Sequence, residues 1–185
     1  MKILVFTEGT IIMSLSAKNV SRELRVEQSR LAGIQREERK ISYETNFALP
    51  VVEKGSVYDF KTHIPIGNAV RKIISWQKQG AVICYLTSRR IKDEIEMIQR
   101  VLRKYRFPNF VGLFYRLKGE DYKDVAEKVL PDILIEDDCE SIGGKAEMTY
   151  PHIRKDLKPK IRSIVVKEFG GIDHLPDSLE ELKGY

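Results

Sequence analysis

The chain has 185 residues, 42% of them hydrophobic and 32% charged, with 32 Lys and Arg against 27 Asp and Glu for a formal charge of +5. That length and apolar content suffice to bury the core of one domain, which excludes a disordered polar segment, and no apolar run approaches the roughly 18 residues of a membrane span. The small charge excess describes a solvated, mildly basic surface that is compatible with phosphate-bearing partners.

Lys2 to Phe6 is a Val/Ile/Leu-rich run suited to a buried first strand. It turns polar at Thr7-Glu8-Gly9, too soon for a secretion signal, so a cytoplasmic protein is expected. Residues 12–64 then break the rhythm. From Val20 to Lys40, charged residues surround a thin apolar line of Val20, Leu24, Leu31 and Ile34, which predicts an exposed, charged helix. From Ile41 to Lys61 the chain reads as irregular, with Pro50 and Gly55 as breakers and a short extended piece at Leu49 to Val52. An insertion of this length directly after a first strand either covers an active site or serves as a structural flap.

Beyond it, Ile66, Ala69, Val70, Ile73 and Ile74 fall at helical spacing and stop at Gly80, ahead of a strand at Ala81 to Leu86. Ile91, Ile95, Ile98, Leu102 and Tyr105 repeat the pattern, closed by Pro108, before a strand at Phe110 to Phe114. A third stripe of Tyr122, Val125, Ala126 and Val129 ends at Pro131 and leads into Ile133 to Ile135; the last apolar run is Ser163 to Val166. Strands that lack strict alternation, each separated from the next by a helix-period segment, indicate a parallel sheet covered on both faces. The expected class is therefore α/β, a three-layer Rossmann-like parallel sheet of about five strands. Residues 1–185 form one domain, with 12–64 as a helical insertion or small cap.

Ligands of open parallel sheets collect at the carboxyl ends of the strands. The residues that follow the strands are Thr7-Glu8-Gly9-Thr10, Thr87-Ser88-Arg89-Arg90, Tyr115-Arg116-Leu117-Lys118 and Glu136-Asp137-Asp138. Two further stretches border the same edge, Asp137 to Gly144 and Glu168 to His174; their glycine pairs permit tight turns, and their acids are solvated or face the cleft. Cys84 and Cys139 stand outside any CxxC pattern, and His63, His152 and His174 show no metal-ligand spacing, so no zinc site is expected.

Four stretches, Val5-Phe6-Thr7-Glu8-Gly9-Thr10-Ile11, Cys84-Tyr85-Leu86-Thr87-Ser88, Lys118 ahead of a helix, and Leu134-Ile135-Glu136-Asp137-Asp138, together resemble the haloacid-dehalogenase-like (HAD-like) superfamily of phosphatases and phosphotransferases. The family pattern has Asp-x-Asp-Gly-Thr, then a strand ending in Ser or Thr, then a Lys, then an acidic pair. The resemblance implies an HAD-like sheet in the spatial order third, second, first, fourth, fifth strand. It implies catalytic roles for Glu8, Thr87 and Lys118, and phosphate binding by Thr10, Thr87, Ser88 and Lys118. Asp137 and Asp138 would hold a magnesium ion through oxygen ligands.

The first motif departs from the family. Anchored on Gly9-Thr10, the acid/base aspartate is Glu8 and the nucleophile position falls on Phe6, or on Thr7 if one residue is deleted; neither is a carboxylate. Aspartyl-phosphate chemistry does not carry over, and a magnesium ion is expected to be only weakly held. Without a cation, the clustered carboxylates should raise at least one pKa unless Lys118 or Arg116 pairs with them. The expected function is a diverged HAD-like protein that binds a phosphorylated small molecule or nucleotide-like ligand, with weak or altered phosphatase-type hydrolase activity. The alternative is a non-catalytic pseudoenzyme that acts as a protein- or nucleic-acid-binding module through the basic insertion from Lys18 to Lys40, with no membrane partner.

Overall fold

The computed structural model describes residues 1–32 and 52–185. Five strands, β1 (Lys2–Phe6), β4 (Val82–Leu86), β5 (Leu113–Phe114), β6 (Ile133–Asp137) and β7 (Arg162–Val166), form one parallel sheet in the order β5-β4-β1-β6-β7. This is the expected spatial order, with the first strand central. β1 pairs with β4 from Lys2 opposite Val82 to Phe6 opposite Leu86, and with β6 from Ile3 opposite Ile133.

Side chains alternate between the two faces of this sheet, and each face carries its own core. Ile3, Val5, Ile83, Tyr85, Ile133 and Ile135 pack with helix α2 (Ala69–Lys78) through Ile73 and Trp76, and with α3 (Lys92–Lys104) through Ile98 and Leu102. Leu4, Cys84, Leu86 and Leu134 pack on the other side with Val125, Ala126 and Val129 of α4 (Tyr122–Val129). Burying each of these larger side chains contributes about 1.5–3 kcal/mol. Helices on one face as the chain moves from β1 to β5, and on the other as it returns to β6, are what right-handed crossovers require. The last helix, α5 (Leu179–Gly184), returns to the first core through Leu179 and Leu182.

Three elements differ from expectation. The third strand is only two residues long, because Asn109 at φ 52° starts a turn in which its side-chain amide donates to the Ile83 carbonyl at 2.6 Å and the Gly112 N–H donates back to the Asn109 carbonyl. Phe110 and Val111 are thereby removed from the ladder. The crossover from β6 to β7 contains three single 3-10 turns, at residues 144–146, 150–152 and 158–160, in place of an α-helix. Gly143 and Gly144 at positive φ and the two prolines, Pro151 and Pro159, break helical continuity there.

The third difference lies in the insertion. Its two ends pair as a short antiparallel ribbon of β2 (Ile12–Met13) and β3 (Ile64–Pro65). The expected exposed, charged helix is present as α1 (Arg22–Ala32): Leu24 is 45% and Leu31 81% exposed, and Val26 is buried. The reason is what the helix lies on. Arg22 pairs with Glu140, Arg30 donates to the Glu140 carbonyl, and Ser29 bonds Ser141, so its inward face meets polar strand-end loops. Residues 33–40 of the Val20 to Lys40 stretch, and all but Val52 of the expected extended piece, lie outside the described residues. No helix among the described residues is long and apolar enough to cross a membrane.

Candidate functional site

Thr7 to Ile12 form a tight turn beyond β1, held by backbone bonds from Ile11 and Ile12 to the Thr7 carbonyl and from Gly9 to that of Ile12. Gly9 sits at φ 80°, and a Cβ there would lie 3.0 Å from Asp137 Oδ2. Both the conformation and the close approach of a carboxylate require glycine. This turn aims Glu8 at the end of β4. Its carboxylate accepts from Thr87 Oγ1 at 2.6 Å, from Thr7 Oγ1 at 2.5 Å and from the Ser88 N–H at 3.2 Å, with Arg89 Nε 3.7 Å away. Hydroxyls, a backbone amide and a guanidinium therefore converge on one anion. Arg89 is itself buried, with its guanidinium 4.6 Å over the Phe60 ring.

Phe6 ends β1 with its ring edge-on to Tyr122 at 5.2 Å, at the position where the resemblance looks for a nucleophile. The Arg116 guanidinium covers the same Tyr122 at 3.8 Å and donates to the Ser88 carbonyl at 3.3 Å. Lys118 is exposed and does not line the cleft. It is turned outward by the bend at residues 117–120, where Leu117 donates to the Glu120 side chain and Glu120 donates back to Leu117. The cation that the loop after β5 brings to the cleft is Arg116.

Three carboxylates in a row end β6 in different environments. Glu136 is buried, accepts from the Thr149 and Tyr150 N–H groups at 2.6 and 2.9 Å, and has its pKa raised by burial. Asp137 accepts from Thr10 Oγ1 at 2.8 Å and from the Cys139 N–H at 3.0 Å; burial still pushes its pKa up to about 6. Asp138 faces away, toward Lys167 Nζ at 2.9 Å and the Glu168 N–H at 3.0 Å. Burial would raise its pKa, but these partners outweigh it and hold the carboxyl below the ordinary value. Glu168, beyond β7, accepts from the Ser141 N–H and Oγ at 2.6 and 2.7 Å; burial, with the charges of Asp137 and Asp138, pushes it up to about 7. Glu136, Asp137 and Glu168 are thus shifted upward, chiefly by burial, whereas Asp138 beside Lys167 is shifted down.

A cavity of about 630 Å³ opens at this edge, bounded by Phe6, Glu8, Ser88, Arg116, Tyr122 and Asp137. Thr10 and Thr87 are fully buried behind it, with their hydroxyls committed to Asp137 and Glu8. Magnesium needs near-octahedral oxygen ligation and commonly binds through one or two carboxylates plus a substrate phosphate. The residues fit it only in part: Asp137 faces the cavity, Asp138 has both oxygens engaged elsewhere, and Phe6 offers no ligand. Among the described residues no group of three His, Cys, Asp or Glu side chains is placed to hold a metal ion.

Glu8, Thr10, Thr87, Ser88 and Asp137 are thus gathered at one edge, whereas Lys118 and Asp138 point elsewhere. Sequence reasoning placed Glu168 in a stretch bordering this edge and read His63 only as lacking metal-ligand spacing, and gave neither a role in the site. His63 is buried, with its pKa lowered by that burial, and its only sequence signal was its place just ahead of β3. Compared with protein-family models, with curated proteins and with solved structures, the chain finds no significant match.

Proposed function

We propose that the chain is a diverged HAD-like protein: one Rossmann-like three-layer domain over residues 1–185, with 12–64 as a small cap. In this reading it binds a phosphorylated small molecule at the strand-end cavity without aspartyl-phosphate chemistry. The observation that carries it is the convergence of Thr87 Oγ1, the Ser88 N–H and Arg89 on the Glu8 carboxylate. Such donors are an anion hole, and a phosphoryl oxygen asks for the same set. Glu8 occupies the hole in the absence of ligand, and a phosphoryl group would displace it, with Arg116 balancing the added charge. Phe6 supplies no nucleophile, so hydrolysis would be confined to attack by water, with Glu8 or Asp137 as base, and would be slow. A weakly held magnesium ion would bind through Asp137 and the ligand phosphate together.

The test is calorimetric titration with inorganic phosphate and nucleoside monophosphates, with and without magnesium. Glu8→Ala should bind at least tenfold more tightly than the wild type, and Thr87→Val in that background should lose the gain. If neither protein binds any phosphorylated compound, the reading fails. Turnover that vanishes in Asp137→Ala would mark the protein as a hydrolase.

A second reading, nucleic-acid binding, is favoured by where the charge lies. Between Lys18 and Ala32 the insertion holds four cations, Lys18, Arg22, Arg25 and Arg30, against Glu23 and Glu27, an excess of two. Residues 154–162, by contrast, hold five cations and one acid, four of the five net charges of the whole chain. Lys158, Lys160 and Arg162 line an open groove at the amino ends of β6 and β7, at the opposite edge of the sheet from the cavity.

A further inference from the structure

Behind Glu8, on the side of the insertion, lies a second and smaller cavity of about 200 Å³. Glu8, Ser88 and Asp137 border both cavities and form the partition between them. Its surface is mostly apolar, with Met13, Phe60 and Phe169 among the lining residues, and Arg25 lines it from α1.

Two features set it apart from an ordinary packing gap. Among the described residues Arg25 has no carboxylate partner: its polar contact is Nη1 to Met13 Sδ at 3.1 Å, and its Nε is buried with no hydrogen-bond partner. Every other cation around this partition has an oxygen partner, Arg22 at Glu140, Arg89 at Glu8 and Lys167 at Asp138. A thioether is a weak acceptor, and the half-buried guanidinium is partly withdrawn from water without a counter-ion, which is unfavourable. Burial accordingly lowers the Arg25 pKa, with no charge nearby that opposes it. The second feature is Phe169, which lines the cavity at φ 58°, a conformation costly for an aromatic residue, and is held there by its N–H donating to the Gly9 carbonyl at 2.7 Å.

The anionic walls do not cancel this demand. Glu8 is met by Thr87, Ser88 and Arg89, both oxygens of Glu168 by Ser141, and both oxygens of Asp137 by Thr10 and Cys139. We infer that this cavity is a binding site for a small monocarboxylate with a compact apolar or aromatic body, its carboxylate on the Arg25 fork and its body on Met13, Phe60 and Phe169. The planar guanidinium matches a carboxylate through two parallel N–H bonds. The size fits: a cavity of about 150 Å³ takes a benzene molecule, so this one accommodates one ring and a short acidic arm. One unpaired cation suits a singly charged head better than a phosphate dianion, which separates this ligand from the one proposed for the larger cavity. The inference does not rest on the phosphate reading.

Three probes of one shape and different charge test it on the full chain: phenylacetate, phenylacetamide and 2-phenylethylamine, titrated by calorimetry or followed by saturation-transfer NMR. Phenylacetate should bind at least tenfold more tightly than the amide and the amine. Arg25→Gln should bring the acid down to the affinity of the amide, whereas Arg30→Gln, an exposed change on the same helix, should leave the preference intact. A circular-dichroism melt of each variant verifies folding, and phosphate titration of Arg25→Gln should be unchanged. Equal binding of all three probes, survival of the preference in Arg25→Gln, or no saturable binding of any probe would each overturn the assignment.

Discussion

Glu168 and Asp137 keep their protons to higher pH than ordinary carboxyls because they are buried beside other acids, at about 7 and about 6. Each therefore binds its proton more tightly in the folded chain than in the unfolded one. The stability this contributes is fully present below the ordinary carboxylate range and is lost as pH rises through the folded values. For Glu168 the full swing is on the order of 3 kcal/mol. His63 works in the opposite direction: burial depresses its pKa, so stability tied to its neutral form falls as pH drops below the ordinary histidine value. Comparing the wild type with Glu168→Gln cancels the histidine contribution. Glutamine can accept from the Ser141 N–H and donate to its hydroxyl, so the variant should be the more stable at pH 8, with the difference shrinking toward low pH and vanishing below about pH 4. Urea titrations across that range measure it, and a difference independent of pH would refute the assigned shift. Destabilising acids at the mouth of a cleft are a common mark of a site kept for function.

At the scale of elements, α2 and α3 have no side-chain N-cap and are held by the sheet. Leu102 of α3 is fully buried in the core that also contains Ile98, Tyr85 and Phe107. Leu102→Ala should cost about 2–5 kcal/mol, the range for a buried leucine that leaves a cavity. A loss below 1 kcal/mol by thermal or urea unfolding would mean that α3 is not fixed against the sheet. The loop after β5 decides which cation serves the cleft. Arg116 lies over Tyr122 beside the cavity, and Lys118 is exposed. A charge-assisted hydrogen bond contributes about 1.5–3 kcal/mol, so Arg116→Ala should weaken phosphate binding about tenfold or more, and Lys118→Ala should change it less than twofold. The reverse order in calorimetry would show that the loop is placed differently when ligand is present.

Over the whole molecule the charges are segregated. Carboxylates crowd the carboxyl ends of the strands, and the basic run of residues 154–162 occupies the opposite edge. Net charge alone suggested a diffuse surface; the fold instead gathers Lys158, Lys160, Arg162 and Lys183 around one groove. If nucleic acid binds there, the logarithm of the binding constant should fall with the logarithm of salt concentration by about 0.9 for each phosphate neutralised. Exchanging Lys158, Lys160 and Arg162 together for Gln should then reduce the slope by roughly 3. An unchanged slope, with binding that instead responds to changes on α1, would return the interaction to the insertion.

The sequence by itself determined the α/β class, the positions of the three crossover helices and the strand cores, because hydrophobic period and the Gly and Pro stops are local properties of the chain. It also placed Glu8, Thr87 and Asp137 at strand ends, which in a parallel sheet means at one edge. Only the tertiary structure decided which way each side chain faces there. Asp137 and Asp138 are adjacent in sequence, yet successive side chains at a strand end point to opposite sides, so one meets the cavity and the other meets Lys167. Lys118 and Arg116 are separated by a turn whose direction depends on Glu120. The exposed, charged character of α1 was legible in the sequence, but which side chains it turns inward was not, because that depends on the strand-end loops and the cavity it meets, where Val26 is buried and Arg25 enters.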